Sequence, residues 1–167
     1  LDIIFPPRVD EKILRTVSSD AFLSILNPQL IPITRPSAIA LLPFSEASVR
    51  VAIHEAKYHG SAKACDLLAS VLVEYFRDND EGFGTSVIVP IPLGKKRYTE
   101  RGFNQIEEIL RHSAKELTIK IDIEILARSC ETESQVSLPR HKREENMRGA
   151  FKATRHPPPP PTLHTLI

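Results

Sequence analysis

Val87-Ile88-Val89-Pro90-Ile91 is a short apolar run without alternation, and Pro92-Leu93-Gly94-Lys95-Lys96-Arg97-Tyr98-Thr99-Glu100-Arg101-Gly102 follows it at once. An unbroken run of mostly β-branched residues reads as a strand covered on both faces, as in a parallel sheet. The residues from Pro92 to Gly102 read as a loop. From Asn104 onward Ile106, Ile109, Leu110, Ala114 and Leu117 recur at helical steps, which predicts a helix. Ile119, Ile121, Ile123 and Ile125 then alternate with Lys120, Asp122 and Glu124, the period of a half-buried strand. Strand, long connection, helix and strand make a βαβ unit, so the fold class is α/β.

Upstream, Asp10 is placed to cap a helix carrying Ile13, Leu14, Val17, Ala21 and Ile25 and ending near Asn27-Pro28. Pro28, Pro32 and Pro36 then impose extended chain. Ser45 is placed to cap a helix with Val49, Ile53 and Ala56 on one face, and Gly60 suits its left-handed end. Ser61 starts a third helix, with Cys65, Leu68, Leu72 and Phe76 in its stripe and Asp78-Asn79-Asp80 and Gly82 at its stop. Downstream, residues 128–151 are polar and basic and read as an extended loop with a short helix near Lys142–Met147. After His156 come five prolines, 157–161, which admit neither helix nor inner strand.

The 167 residues hold 22 Lys+Arg against 21 Asp+Glu and are 41% hydrophobic, which fits one folded domain and excludes an acidic disordered region. Cys65 and Cys130, the only cysteines, lack C-x-x-C spacing, which argues against a disulfide scaffold or a zinc ribbon and fits a reducing cytoplasm. No apolar run approaches the roughly 20 residues that span a bilayer, and Leu1-Asp2 opens no basic leader, so neither membrane insertion nor secretion is expected. The charge is uneven. Residues 1–84 carry 8 basic and 11 acidic side chains, residues 85–167 carry 14 and 10, so anionic chemistry is expected in the second half.

In open parallel sheets ligands bind beyond the carboxyl ends of the strands, and here that end carries Lys95, Lys96, Arg97 and Arg101. Gly94 and Gly102 let backbone N–H groups approach an oxyanion, the helix start adds free donors, and Asn104 and Gln105 add side-chain ones. The same spacing equally describes a solvated basic turn beside a helix cap. Neither a Walker-type nor a dinucleotide glycine fingerprint is present. Between Arg140 and Arg155 lie six Lys/Arg and two Glu. Arg140, Arg143 and Arg148 offer forked donors to phosphate, and Gln135 and Asn146 neutral ones, although composition alone reads as a charged surface loop. The six histidines read as too scattered for a metal site, and Tyr58 as a helix-end aromatic packed on the core.

Together these segments resemble the ComF competence-protein family, phosphoribosyltransferase-like proteins that include a gluconate-utilisation relative. The likeness rests on Phe5-Pro6-Pro7-Arg8, Ala56-Lys57-Tyr58-His59-Gly60, Val89-Pro90-Ile91-Pro92-Leu93 and, most specifically, Arg101-Gly102-Phe103-Asn104-Gln105. Leu126-Ala127-Arg128 with Thr132 and Gln135, then Arg143, Asn146, Gly149, Ala150 and Phe151, is similar to the family's downstream run. The resemblance covers about residues 38–154.

It implies a type I phosphoribosyltransferase-like parallel sheet with flanking helices that binds 5-phosphoribosyl-1-pyrophosphate with Mg²⁺. The loop after Ile91 would hold pyrophosphate through Gly94, Lys95, Lys96, Arg97, Arg101, Gly102, Asn104 and Gln105. The 128–151 segment would close over the substrate, with Arg128, Gln135 and Asn146 binding and Arg140 and Arg143 stabilising charge on the departing pyrophosphate. Two departures stand out. The chain continues Val9-Asp10 where members commonly carry a four-cysteine module, so no zinc is expected; and Arg155-His156 and the prolines follow Phe151 where the family has a strand and an Asp-Asp-x-x-Thr-Thr-Gly ribose-phosphate loop. The expected organisation is thus 1–37 as a helix and Pro-rich lead-in, 38–154 as a phosphoribosyltransferase-like domain lacking the C-terminal part of its core, and 155–167 as an aberrant tail. A truncated or frame-shifted member, inactive as this chain, is expected. The competing expectation is a non-enzymatic accessory of DNA uptake that binds competence proteins or single-stranded DNA.

Overall fold

The computed structural model describes residues 8–31, 38–79, 87–114, 116–117, 119–135, 137–154 and 163–166, with Arg140 and 163–166 described by backbone alone. Phe5 to Pro7, Pro32, Pro36, Asp80, Gly82 and 155–161, which the sequence singles out, lie outside them. The molecule is mixed α/β and divides into two compact units, Leu1–Gly82 with Glu108–Leu117 and Phe83–Glu107 with Thr118–Ile167.

The first unit is mainly helical: α1 (Val9–Thr16), α2 (Ser19–Leu23), α3 (Ala47–His59) and α4 (Ala62–Asp78), with β1 (Gln29–Ile31) and β2 (Ala38–Ala40) paired antiparallel. Where one helix is expected from Asp10 to Ile25 there are two. Val17 is extended and the Ser18 hydroxyl accepts from the Ala21 N–H, so a β-branched residue and a capping serine break the ladder. Asp10 lies inside the first turn and Arg8 takes the cap position. α3 starts after Glu46 rather than Ser45, whose carbonyl, like that of Phe44, accepts from the Arg50 guanidinium. Gly60 is left-handed at φ 57° and the Ser61 hydroxyl caps α4, as the sequence predicts. Phe22, Leu14, Val49, Ala56, Cys65, Leu72 and Phe76 are buried, while Ile13 and Ile53 sit at the edge of exposure.

The second unit is built on β3 (Val87–Pro90), all four residues buried. β3 pairs in parallel with β4 (Lys120–Ile121) and with β7 (Leu163–Leu166), in the order β4-β3-β7. Leu163–Leu166, within the stretch expected as an aberrant tail, form a strand paired with β3. The alternation from Ile119 to Ile125 yields only a two-residue strand. Asp122 is buried, its N–H donates to the Ile88 carbonyl, and its side chain accepts from the Glu124 N–H, an Asx turn that ends the pairing and leaves Ile123 exposed. Val87, Val89 and Ile125 form a small apolar cluster with Leu126 against it.

The expected loop from Pro92 to Gly102 contains α5 (Lys95–Arg101), bounded by Gly94 at its N-cap and Gly102 at φ 78°. Lysine, arginine and glutamate are good helix formers, and the two glycines act as boundaries. α6 (Gln105–Ser113) follows and stops short of Leu117. β5 (Leu126–Arg128) and β6 (Phe151–Ala153) pair antiparallel, and α7 (Arg140–Met147) lies between them in sequence. Residues 128–151 are therefore an arm closed at its base, not an open loop: the Ser129 N–H reaches the Ala150 carbonyl at 2.8 Å. No helix among the described residues is long and apolar enough to cross a membrane.

Candidate functional site: a cationic helix start under a folded arm

All the predicted ligand-binding residues fall in the second unit. Gly94 is buried at the start of α5, and Lys95 and Lys96 are exposed in its first turn. Three cationic residues open this helix with no acidic residue among them, although the positive end of a helix favours anions. The arm supplies the missing charge. Glu131 Oε1 accepts from the Lys96 N–H at 3.3 Å, and the Glu131 carboxyl carbon lies 2.9 Å from where a Cβ on Gly94 would stand. Glycine at 94 is thus what lets this carboxylate approach.

A second tie runs through one carbonyl. Arg97 donates to the Glu133 oxygen at 3.2 Å, and Asn146 Nδ2 donates to the same oxygen at 3.1 Å. Asn146 Oδ1 in turn accepts from the Glu133 N–H at 3.1 Å, so this side chain pins residue 133 as a partner strand would. The two basic segments separated in sequence therefore meet, at Gly94, Lys96 and Arg97 on one side and Glu131, Glu133 and Asn146 on the other.

The remaining residues hold the frame. Asn104 is buried, and its Oδ1 caps α6 by accepting from the Ile106 N–H while its Nδ2 donates to the Ile91 carbonyl at 3.0 Å and to Glu107 at 2.9 Å. This locks the end of β3 to the start of α6, so Asn104 positions the loop. Arg101 donates to Gln105 at 3.2 Å, and Gly102 supplies the left-handed turn between the two helices. Arg128 donates to the Cys130 carbonyl and to the Thr132 hydroxyl and stacks over Phe151, 5.1 Å from the ring centre. Arg143 donates to the Leu138 carbonyl, and Gln135 Nε2 to the Arg143 carbonyl, while Gln135 Oε1 is buried without a hydrogen-bond partner beside a cavity of about 530 Å³ lined by Arg143, Glu144, Met147 and Arg148. Arg97, Arg128 and Arg143 bond neutral oxygens, and among the described residues none has a carboxylate partner. Their charge stays uncompensated, which keeps this surface attractive to anions.

Sequence reading missed Glu131, whose signal was an acidic residue between two basic segments, and it missed a group in the first unit. His54, Glu55 and His59 bring one ligand atom each within 4.8 Å of one another, although the histidines read as scattered. Glu55 is fully buried in the last turns of α3 and takes both donors of Arg8, at 3.3 and 2.6 Å, which raises the Arg8 pKa. Tyr58 does not pack on the core. It is 52% exposed, with the Lys57 ammonium 5.0 Å from its ring centre. Compared with known proteins, the chain matches no family model, no curated sequence and no solved structure.

Proposed function

We propose that the second unit binds a pyrophosphate-bearing ligand at the start of α5, in the manner of a ComF-type phosphoribosyltransferase-like protein related to competence and DNA uptake. The observation that carries this reading is the Glu131 carboxylate on the Lys96 N–H: an oxyanion already sits on the loop where the resemblance implies one. Parallel pairing of β3 with β4 and β7 supports the strand-loop-helix frame on which such sites stand. The donors at this loop are amide N–H groups and cationic side chains, which suit phosphate oxygens. Mg²⁺ prefers oxygen ligands and in this reading arrives with the phosphates, whose charge it neutralises. Lys95, Lys96 and Arg97 attract the ligand, the Lys96 N–H receives an oxygen, and Asn104 fixes the loop. The proposed role is binding.

Thermal unfolding with and without millimolar phosphoribosyl pyrophosphate and Mg²⁺ tests it. Ligand at about 100 times its dissociation constant raises stability by roughly 2.7 kcal/mol and shifts the midpoint upward; an unshifted midpoint with both phosphoribosyl pyrophosphate and pyrophosphate refutes the site. A second reading, single-stranded DNA, is favoured by Tyr98, 51% exposed on the same helix as Lys95 and Lys96. Base stacking on that ring predicts salt-sensitive oligonucleotide binding that Tyr98→Ala weakens and phosphoribosyl pyrophosphate leaves unchanged.

A further inference from the structure

We propose that His54, Glu55 and His59 form a binding site for a divalent metal of the zinc and cobalt class at the end of α3. Their ligand atoms lie within 4.8 Å of one another. Tetrahedral coordination with bonds of about 2.1 Å needs donors about 3.4 Å apart, and rotation of the two imidazoles, both partly exposed, closes the difference. Glu55 Oε1 already stands 3.8 Å from His59 Nε2.

Two surrounding features suit a cation here, the Asp10 carboxylate and the end of α3. Asp10 Oδ2 lies 3.1 Å from His54 Nδ1, the carboxylate-imidazole pairing that fixes the ring tautomer and leaves the Nε2 lone pair for a metal. Arg8 holds the Glu55 carboxylate through Nε on Oε1 and Nη2 on Oε2 and sets a positive charge against the incoming cation, but a carboxylate oxygen that accepts one hydrogen bond keeps a second lone pair. His59 is the last residue of α3, where the dipole favours positive charge. The set of two imidazoles and one carboxylate selects Zn²⁺, Co²⁺ or Ni²⁺ over Mg²⁺ or Ca²⁺, and three protein ligands leave a fourth position for water.

The test uses the full 167-residue chain freed of metal with a chelator and titrated with Co²⁺, read by visible absorption. The expected result is a saturable band from one Co²⁺ per chain that Zn²⁺ bleaches. The His54→Ala/His59→Ala pair, both partly exposed, should abolish the band while leaving the far-ultraviolet dichroism unchanged. Asp10→Asn should weaken Co²⁺ binding about tenfold, and His112→Ala, at a histidine paired with Asp66, should leave it intact. Absence of a band in the native chain, or a band that survives the double substitution, overturns the proposal.

Discussion

Replacing Glu131 with glutamine keeps the side chain's shape and removes its charge from the start of α5. The hydrogen bond it accepts from the Lys96 N–H is 3.3 Å long and exposed. It falls below the range for charged hydrogen bonds, at about 0.5 kcal/mol. Repulsion between Glu131 and a bound dianion about 5 Å away is about 1.7 kcal/mol in water, and screening at physiological salt reduces it to roughly 1 kcal/mol. A pyrophosphate ligand therefore faces about 1.5 kcal/mol of competition from the arm. Glutamine keeps an oxygen that accepts from the Lys96 N–H and loses only the repulsion, so Glu131→Gln should bind pyrophosphate roughly fivefold more tightly than the native chain by titration calorimetry. Gly94→Ala should act in the same direction, because its Cβ would stand 2.9 Å from the Glu131 carboxyl carbon and drive that flexible side chain away. The gain should shrink at high salt. Equal or weaker binding by Glu131→Gln at low salt would show that the carboxylate does not occupy the ligand's place.

Asn104→Leu leaves the Ile91 carbonyl and the first turn of α6 without their donor and acceptor; it should cost about 2 kcal/mol and lower the unfolding midpoint by roughly 5 °C. Phe22→Ala, at a fully buried ring, should cost about 3–5 kcal/mol by denaturant unfolding, and Ser18→Ala, which removes only the α2 cap, about 1 kcal/mol. Burial pushes the Cys65 thiol up to about 11, whereas Cys130 is exposed, so a thiol reagent at neutral pH should label Cys130 alone until the chain is unfolded. A thiol with a raised pKa is protonated longer in the folded than in the unfolded chain. Its contribution is therefore full below about pH 9 and lost as pH rises toward about 11, and Cys65→Ala should flatten that alkaline fall in stability.

Local rules carried the sequence a long way in this chain. The unalternating run at 87–90 is a strand buried along its length, Gly60 and Ser61 sit at the helix boundaries, and the short helix in the arm lies where its composition points. The failures share a cause. Ser18 and Asp122 each offer a side-chain oxygen to a nearby backbone N–H, at 3.2 and 3.0 Å, and that local bond outcompetes a hydrophobic period that by itself predicts a longer helix or strand. Gly94 and Gly102 misled in the opposite sense: glycines that suggest a pliable loop instead delimit a helix, because the residues between them favour one.

The candidate site was legible as a list of residues and not as an arrangement. Charge counting finds Lys95, Lys96 and Arg97, and it finds the arm's arginines, but it treats both as facing outward toward a ligand. In the structure the arginines spend their donors on the chain's own carbonyls, at Glu133, Cys130 and Leu138. Those bonds hold the guanidinium groups without neutralising them, so the arm is still cationic. A basic segment that must lie against a basic helix start needs an anion between them, and Glu131 supplies it at the place where the helix dipole already favours negative charge. One of the two contacts between the segments is therefore the one a ligand anion must replace, while the bond from Arg97 to the Glu133 carbonyl stays. Anion binding and release of the Glu131 carboxylate from the Lys96 N–H should therefore be one event.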